Sequence, residues 1–218
     1  MRTTLTAVLF AACVAACAPD ARAQTQPTPV GPPAVAQRPT PTPYPIVVVA
    51  DASVRAGWQR YQFGASPAFS VAMPARPEAN AERMPTAPDA VVHFYLTASE
   101  RGVYGASRLD GLALDMDGVT EAQRESFFRE YVTGFGEGFR QGLKASNLDY
   151  ELSFKPSKKV RAAGREAFEQ DMTVGPFQGR AQLVFAGHAA YCVVAVWTAE
   201  TPAADYQAFF DSFRLGAR

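Results

Sequence analysis

The chain has 218 residues, of which 48% are hydrophobic and 11% aromatic, so it is long enough for one domain with a buried core plus terminal appendages. Its 21 basic residues balance its 21 acidic residues, and the formal net charge is zero. A balanced charge lacks the broad positive field that nucleic-acid binding requires, so we exclude nucleic acid as the main partner.

The N-terminal residues have the pattern of an export signal. Arg2 supplies a positive charge, and residues 5–16 form an uncharged, mostly apolar run, which is shorter than the about 20 residues that a membrane-spanning helix needs. The small-x-small sequence Ala21-Arg22-Ala23 predicts cleavage before residue 24, which makes residues 1–23 a signal peptide.

An alternative processing site precedes Cys17. The sequence Val14-Ala15-Ala16-Cys17 resembles a bacterial lipobox, in which the cysteine is lipidated, and residues 1–16 would then be a lipoprotein signal. We favour the first site because the polar residues 18–22 form a suitable region before that cut. Both sites predict export: a periplasmic or secreted protein, or one anchored by lipid in the bacterial envelope. We expect membrane contact only if Cys17 is lipidated.

Residues 24–50 are predicted to be a disordered, proline-rich linker. Between Gln24 and Pro45 the chain has eight prolines and one charged residue. Proline fixes φ and lacks an amide donor, so this segment is expected to be an extended spacer that forms no packed core. The following run Ile46–Val49 is either a first edge strand or the end of the linker, and the sequence leaves both open.

Residues 51–218 are predicted to form one domain that begins with strands. Short runs rich in aromatic and β-branched residues alternate with glycine and proline turns. A polar stretch with several prolines, residues 74–88, is predicted to be a loop, and Arg101-Gly102 to be the turn of a hairpin. The predicted strands are residues 58–63, 69–74, 90–98 and 104–109.

A long amphipathic helix is predicted to follow. Thr120 and Gln123 have the spacing of a capping box, in which each side chain satisfies a free amide of the first turn. Large apolar residues then recur every four positions, which places them on one helix face. They are Phe127, Tyr131, Phe135, Phe139 and Leu143.

Glycines run beside this apolar face. Gly134, Gly138 and Gly142 also recur every four residues, so they form a stripe at which another segment can approach closely. A dinucleotide-binding loop instead places G-x-G-x-x-G between a strand and the start of a helix. We therefore predict a packing role for these glycines and no phosphate-binding role.

The C-terminal part is predicted to contain three strands, a strong hairpin and a helix. Residues 180–197 form the hairpin, with its turn at Ala186–Ala189, and Thr201 is predicted to cap a helix whose first residue is Pro202. The predicted fold class is α+β: an antiparallel sheet built from hairpins with helices packed on it. The three strands are residues 149–154, 165–174 and 180–185, and the last of them is the first strand of the hairpin.

Several segments together resemble a known family. The order "GWQRYQF…FSVAMPARP", "HFYLTA…VYGASRLD", the aromatic helix, "GREAFEQDM", "RAQLVFAGHAAYCVVAV" and "YQAFFDSFRL" is similar to that of the PsbP-like fold. This fold occurs in the extrinsic photosystem II subunit, in a Ran-binding nuclear-import factor and in exported bacterial proteins of unknown role. The resemblance implies an α/β/α sandwich with a binding or scaffolding function, and it carries no catalytic motif or cofactor.

Few residues suggest reactive chemistry. His93 is predicted to be a satisfied strand residue, His188 an exposed turn residue and Cys192 a buried, inert thiol. Asp110, Asp115 and Asp117 precede the capping box, and their spacing is not that of a calcium loop, so they are predicted to be solvated acids near a helix start. We expect no metal site and no cofactor.

One segment is strongly basic. The sequence "FKPSKKVRAAGR" has no acidic residue, and it is either an edge strand protected from aggregation by charge or a patch that contacts an anionic partner. The residues of this basic patch are Lys155, Lys158, Lys159, Arg161 and Arg165.

The preferred functional hypothesis is an exported, non-enzymatic envelope protein that binds a protein or a small ligand. An enzyme assembled from residues distant in sequence is the alternative, with Asp115, Asp117 and Tyr104 as candidate residues. A lipoprotein of unknown role, tethered through Cys17, is a third hypothesis.

Overall fold

The computed structural model describes residues 39–64, 68–84, 87 and 89–216. The signal segment, both cleavage sites, Cys17 and residues 24–38 lie outside the described residues. Strands hold 45% and helices 20% of what is described. The strands are β1 (Ile46–Val49), β2 (Gln59–Phe63), β3 (Phe69–Met73), β4 (Glu78–Arg83), β5 (Val91–Ser99), β6 (Gly102–Asp110), β7 (Leu152–Phe154), β8 (Lys158–Ala162), β9 (Arg165–Val174), β10 (Phe177–Ala186), β11 (Ala189–Trp197) and β12 (Arg214–Leu215), and the helices are α1 (Glu121–Ala145) and α2 (Ala203–Asp211).

The strands form two antiparallel sheets. The small sheet has the order β1-β2-β3-β12, and the large sheet has the order β4-β5-β6-β11-β10-β9-β7, with β8 also paired to β9. Both predicted hairpins are confirmed: Ser99 pairs with Gly102, and Ala186 pairs with Ala189. Gly187 in the second turn has a φ of 58°, a left-handed conformation that glycine adopts without strain.

The ordered fold begins before residue 51. Of the two alternatives that the sequence left open for Ile46–Val49, the structure shows the edge strand, paired with β2 from Ile46 opposite Phe63 to Val49 opposite Arg60. Residues 46–49 therefore belong to the small sheet.

Residues 74–88 were predicted to be a loop, and this prediction is wrong for β4. Glu78–Arg83 pairs with β5 and forms one edge of the large sheet. Its polar composition has little strand preference, but an edge strand exposes one face and one side to water, where charged residues are tolerated.

Helix α1 begins at the predicted capping box. The Thr120 hydroxyl accepts a hydrogen bond from the Gln123 amide, and the Gln123 side chain accepts one from the Thr120 amide. The helix continues for 25 residues, through all of its glycines. Phe128 stacks on Phe168 of β9 with 4.6 Å between ring centroids, so the apolar face of the helix packs on the large sheet.

The three glycines of the predicted stripe are buried, and a close approach is seen at Gly136, which the prediction did not include. Gly134, Gly136, Gly138 and Gly142 are all buried within the helix. At Gly136 the ring of Phe154 lies where a side chain would begin: an added Cβ would be 2.8 Å from Cε2 of this ring. Packing of the helix against the sheet offsets the loss of about 1 kcal/mol that each helical glycine causes relative to alanine.

The large sheet separates two hydrophobic cores. On one face, α1 packs against side chains of β5, β6, β9, β10 and β11. On the other face, the small sheet and α2 pack against the alternate side chains of the same strands, with Phe63 stacked on Tyr95 at 3.9 Å between ring centroids. The side chains buried in this second core include Tyr61, Phe69, Met73, Tyr104, Tyr191, Phe209 and Phe213.

The predicted α+β class, with helices packed on a single sheet as an α/β/α sandwich, is wrong. The described residues form a β-rich fold with two sheets and two helices. Strands β1, β2, β3 and β12 do not extend the large sheet but form a second sheet across its face. Strand patterns in a sequence indicate which residues face a core, but they do not show which strands share hydrogen bonds.

Helix α2 begins one residue later than predicted. Pro202 is its N-cap residue, and no side-chain hydrogen bond caps this end. The Thr201 hydroxyl instead donates a hydrogen bond to the Arg101 carbonyl and so ties the helix start to the β5–β6 hairpin. Neither helix of the described residues has the length and apolar character that crossing a membrane requires.

Candidate functional site

A cleft of about 320 Å³ lies where the loop before β2, the small sheet and the end of α2 meet. This volume lies in the range of about 300–1,000 Å³ that is typical of small-molecule sites. We call it the arginine cleft because three guanidinium groups line it. Its lining residues are Ser53, Val54, Arg55, Trp58, Arg60, Ala72, Ala208, Asp211, Ser212 and Arg214.

Arg60 lies buried at the bottom of the arginine cleft. It is 7% exposed and belongs to β2, and its Nη1 donates to the Ser212 carbonyl at 2.6 Å. Its Nε donates to Asp51 Oδ2 at 2.6 Å. Ser212 in turn accepts the Ala72 amide at its Oγ, at 2.8 Å, which joins β3 to the end of α2. Arg60 is therefore held by fixed partners on both sides.

Asp51 is the carboxylate at the rim of the arginine cleft. Its Oδ1 accepts hydrogen bonds from the amide and the hydroxyl of Ser53, at 2.8 and 2.6 Å. These bonds, and then the bond from Arg60, lower the pKa of Asp51 to about 2. Asp51 is thus ionised at neutral pH and neutralises Arg60.

Arg214 has no carboxylate partner among the described residues. Its Nη1 donates to the carbonyls of Asp211 and Phe213, which orients the guanidinium at the mouth of the cleft. Arg55 and Arg60 are each paired with an acid, whereas the hydrogen bonds of Arg214 within the described residues go to backbone carbonyls. A guanidinium in this position can bind an incoming anion through its remaining N–H groups.

Trp58 is the aromatic residue that lines the arginine cleft. Its ring meets the Tyr104 ring edge-on, with 5.2 Å between centroids. Burial raises the pKa of Tyr104 to about 12, and the nearby carboxylate of Asp205 adds to this effect. Tyr104 is therefore a neutral packing residue at ordinary pH, and the indole above it offers an aromatic surface next to positive charge.

Asp205 lies beneath the arginine cleft and joins three segments. It is 3% exposed, and its Oδ2 accepts a hydrogen bond from Arg101 Nη1 at 2.8 Å. Its Oδ1 contacts Arg55 Nη1 as an ion pair without hydrogen-bond geometry. These contacts connect the loop before β2, the β5–β6 hairpin and α2, so they position the wall of the cleft.

A second, smaller cleft of about 240 Å³ lies between α1 and β8. Phe128 and Phe168 form its apolar floor, and both are buried. The polar residues at its rim are Glu125, Arg129, Ser157, Lys158 and Lys159.

The basic patch does not form one surface of free cations. Lys159 points toward α1, where it pairs with Glu121 and Glu125, the latter at 2.7 Å. Lys158 points to the opposite side of β8 and pairs with Glu169 at 2.8 Å. Neighbouring residues of a strand point to opposite faces, which is why the two lysines diverge.

The rest of the basic patch is spread along the same edge of the sheet. Arg165 Nη1 donates to Asp117 Oδ1 at 2.8 Å, and Arg161 Nη2 donates to the carbonyl of Gly164 at 2.7 Å. Lys155 is exposed in the segment between β7 and β8. That the patch contacts an anionic partner stays a prediction, and the structure adds that most of its cations face acids of the same chain.

The candidate acids of an enzyme site are not brought together with Tyr104. Asp117 Oδ2 accepts the Gly187 amide at 3.2 Å, so Asp117 lies at the β10–β11 turn. Tyr104 lies in the second core, in β6 between Thr97 and Ala195 of the neighbouring strands. Met116, between the two acids in sequence, is buried in the first core on the other side of the sheet.

His93 differs from its prediction. It is buried in β5, and its Nδ1 has no hydrogen-bond partner among the described residues, so it is not a fully satisfied strand residue. His188 is exposed in the β10–β11 turn, as predicted, with its Nδ1 3.1 Å from the Leu112 carbonyl oxygen. Within the described part of the chain, no three acids, histidines or cysteines are grouped as metal ligands.

Cys192 is buried, as predicted. Burial raises the pKa of its thiol to about 11, and a hydrogen bond with Tyr131 opposes this effect only in part. The thiol therefore stays protonated at neutral pH and fills space in the core beneath α1.

Sequence analysis missed the arginine cleft. Its residues come from segments 53–60, 72 and 208–214, and no local motif connects them. The one available signal was the segment "RAGWQR", which places two arginines beside a tryptophan at the start of the predicted strand 58–63. No family model and no curated protein matches the chain.

Proposed function

We propose that this protein is an exported, non-catalytic binding domain and that the arginine cleft is its ligand site. The observation that carries the proposal is the convergence of Arg55, Arg60 and Arg214 on one concave site beside Trp58. The first two arginines are neutralised by Asp205 and Asp51, which leaves Arg214 to bind a ligand of opposite charge.

The ligand class follows from this chemistry. A guanidinium binds a carboxylate through two parallel hydrogen bonds, and an indole ring packs against an apolar or aromatic group. We therefore propose an organic anion with one carboxylate and an aromatic or aliphatic body, either free or at the end of an acidic peptide. Export from the cytoplasm remains supported by the N-terminal sequence, and the PsbP-like resemblance stays a prediction.

Calorimetric titration with benzoate tests the ligand site. We expect measurable binding by the native protein and about a tenfold loss of affinity in Arg214→Gln, which removes a charged hydrogen-bond donor. Arg161→Gln removes an exposed arginine at the distant β8 edge and is the matched control, with unchanged affinity. An equal loss of benzoate affinity in both variants would contradict the proposal, and so would an unchanged affinity in Arg214→Gln. Absence of binding at millimolar benzoate would also contradict it.

Acetate and inorganic phosphate extend this titration. Acetate has the carboxylate without the ring, so we expect weaker binding than that of benzoate. Phosphate has the charge without an apolar body, and stronger binding of phosphate than of benzoate would show that Trp58 does not contribute.

Cross-linking in the bacterial envelope, followed by mass analysis, tests the accessory role. Recovery of a defined partner in contact with this domain supports a binding protein, and repeated recovery of the domain alone counts against it. The intact mass of the mature protein separates the two processing sites: a chain that starts at Gln24 without lipid excludes the anchor at Cys17.

A further inference from the structure

The last residues of the proline-rich segment are docked on the domain through Tyr44. Its hydroxyl donates to Asp110 Oδ2 at 3.0 Å, and its ring stacks on His93 with 4.0 Å between centroids and an angle of 20° between planes. The Tyr95 hydroxyl donates to the Tyr44 carbonyl at 3.4 Å. Residue 44 lies two residues before β1. We call the proline-rich segment that precedes β1 the arm, and this contact holds the point at which the arm enters the small sheet.

His93 lies at the centre of this contact and is 5% exposed. Its Nε2 is 3.6 Å from Asp110 Oδ2, beyond a good hydrogen bond, and its Nδ1 has no partner in the described residues. The two oxygens of Asp110 each accept another donor, Arg108 Nε on Oδ1 at 2.7 Å and the Tyr44 hydroxyl on Oδ2. Burial of the ring disfavours the charged form, so a neutral imidazole fits the site better than an imidazolium.

Among the described residues, two charged groups shift the pKa of His93. Asp110 attracts a proton to it, and the guanidinium of Arg108 repels one. The Tyr44 and Tyr191 rings both lie against Arg108, at 5.3 and 5.5 Å from its Cζ, and Tyr95 is held neutral by burial. Arg108 and Asp110 neutralise each other, so protonation of His93 adds an uncompensated charge to a buried cluster.

We propose that Tyr44 and His93 form a pH-responsive docking site that holds the proline-rich arm at neutral pH and releases it in acid. Docking is then controlled by the charge of one buried histidine.

The sign of the pH dependence follows from burial. Desolvation lowers the pKa of His93, Asp110 opposes the shift, and Arg108 adds to it. The Tyr44 ring covers one face of His93, so release of Tyr44 exposes that face and lets His93 bind a proton more readily. Docking is therefore strongest above the pKa of His93 in the released state and weakens as the pH falls below it, toward the lower pKa of the docked state.

Hydrogen exchange of the full-length chain, read by mass spectrometry at pH 7.5 and pH 5.0, tests this inference. Exchange rates are first corrected for their intrinsic pH dependence. We then expect the protection of residues 46–49 to be lower at pH 5.0 than at pH 7.5. The expected decrease is roughly tenfold for each unit by which docking lowers the pKa of His93. Tyr44→Ala should lower this protection at pH 7.5 and remove its dependence on pH, because β1 keeps its pairing with β2. Unchanged protection in the native protein between the two conditions would overturn the proposal.

The chain offers a matched control because it has two histidines, His93 and His188. His93→Phe keeps a ring against Tyr44 but cannot titrate, so its arm should stay protected at pH 5.0. His188→Gln removes the exposed histidine and should respond to acid like the native protein. If His93→Phe does not fold, as judged by circular dichroism, His93→Gln replaces it. Loss of arm protection at pH 5.0 in the folded variant without His93 would refute the role of that residue.

Discussion

Replacing Asp205 with asparagine tests whether buried ion pairs hold α2 against two distant segments. The carboxylate is 3% exposed and contacts Arg55 and Arg101. Removing one partner of a fully buried ion pair destabilises a protein by about 3–5 kcal/mol. Here the side chains of Arg55 and Arg101 are 34% and 58% exposed, so water can solvate them after the change. We therefore expect a smaller loss, about 1–3 kcal/mol.

Urea unfolding followed by tryptophan fluorescence measures this loss. A decrease of about 2 kcal/mol corresponds to about 4–8 °C in Tm for a domain of this size. Asp211→Asn is the matched control: it lies on the same helix, is exposed, and accepts one hydrogen bond from Gln207. Its effect should stay within about 0.5 kcal/mol.

The reasoning is refuted if Asp205→Asn and Asp211→Asn lower the free energy of unfolding equally. A double-mutant cycle separates the ion pair from other effects. Once Asp205 is replaced, Arg101→Gln should cost less than it does in the native protein, since the two changes remove one shared interaction. Strict additivity would show that the pair does not contribute.

Three further predictions concern packing, capping and burial. Gly105→Ala places a Cβ 2.5 Å from Leu96 Cδ2, and overpacking should lower the free energy of unfolding by about 1–3 kcal/mol, whereas Gly118→Ala, with its nearest neighbour at 3.6 Å, should be tolerated. Thr120→Ala removes the hydroxyl that accepts the Gln123 amide, keeps the bond from its own amide to the Gln123 side chain, and should cost about 1 kcal/mol in thermal unfolding; no change in Tm would argue against the cap. Because burial raises the pKa of Cys192 to about 11, its thiol should react with Ellman's reagent at pH 8 only in urea, and rapid reaction of the native protein would contradict its burial.

The elements that sequence analysis predicted well are those with local causes. The capping box at Thr120 depends on residues three apart, and the hairpin at Gly187 depends on one left-handed turn between two apolar strands. The burial of the α1 glycines also follows from their four-residue spacing beside the aromatic face. Each of these patterns is contained within a few turns or a single strand pair.

The candidate sites were less predictable because they depend on strand direction and on distant partners. The basic patch is contiguous in sequence, but Lys158 and Lys159 point to opposite faces of β8 and meet different acids. The arginine cleft has the reverse property: Arg60 and Arg214 are far apart in sequence and line one site. Charged residues that are adjacent along a strand therefore need not lie on the same surface.

The sequence by itself determined where the long helix starts, which residues turn the hairpins and which side chains are apolar enough to be buried. Only the tertiary structure decided that the strands divide between two sheets, that Tyr44 docks the arm beside His93, and that three arginines converge at the end of α2. The physical reason is that local patterns act through bonds and contacts a few residues apart. Sheet partners and buried charges are instead selected by the free energy of the whole fold.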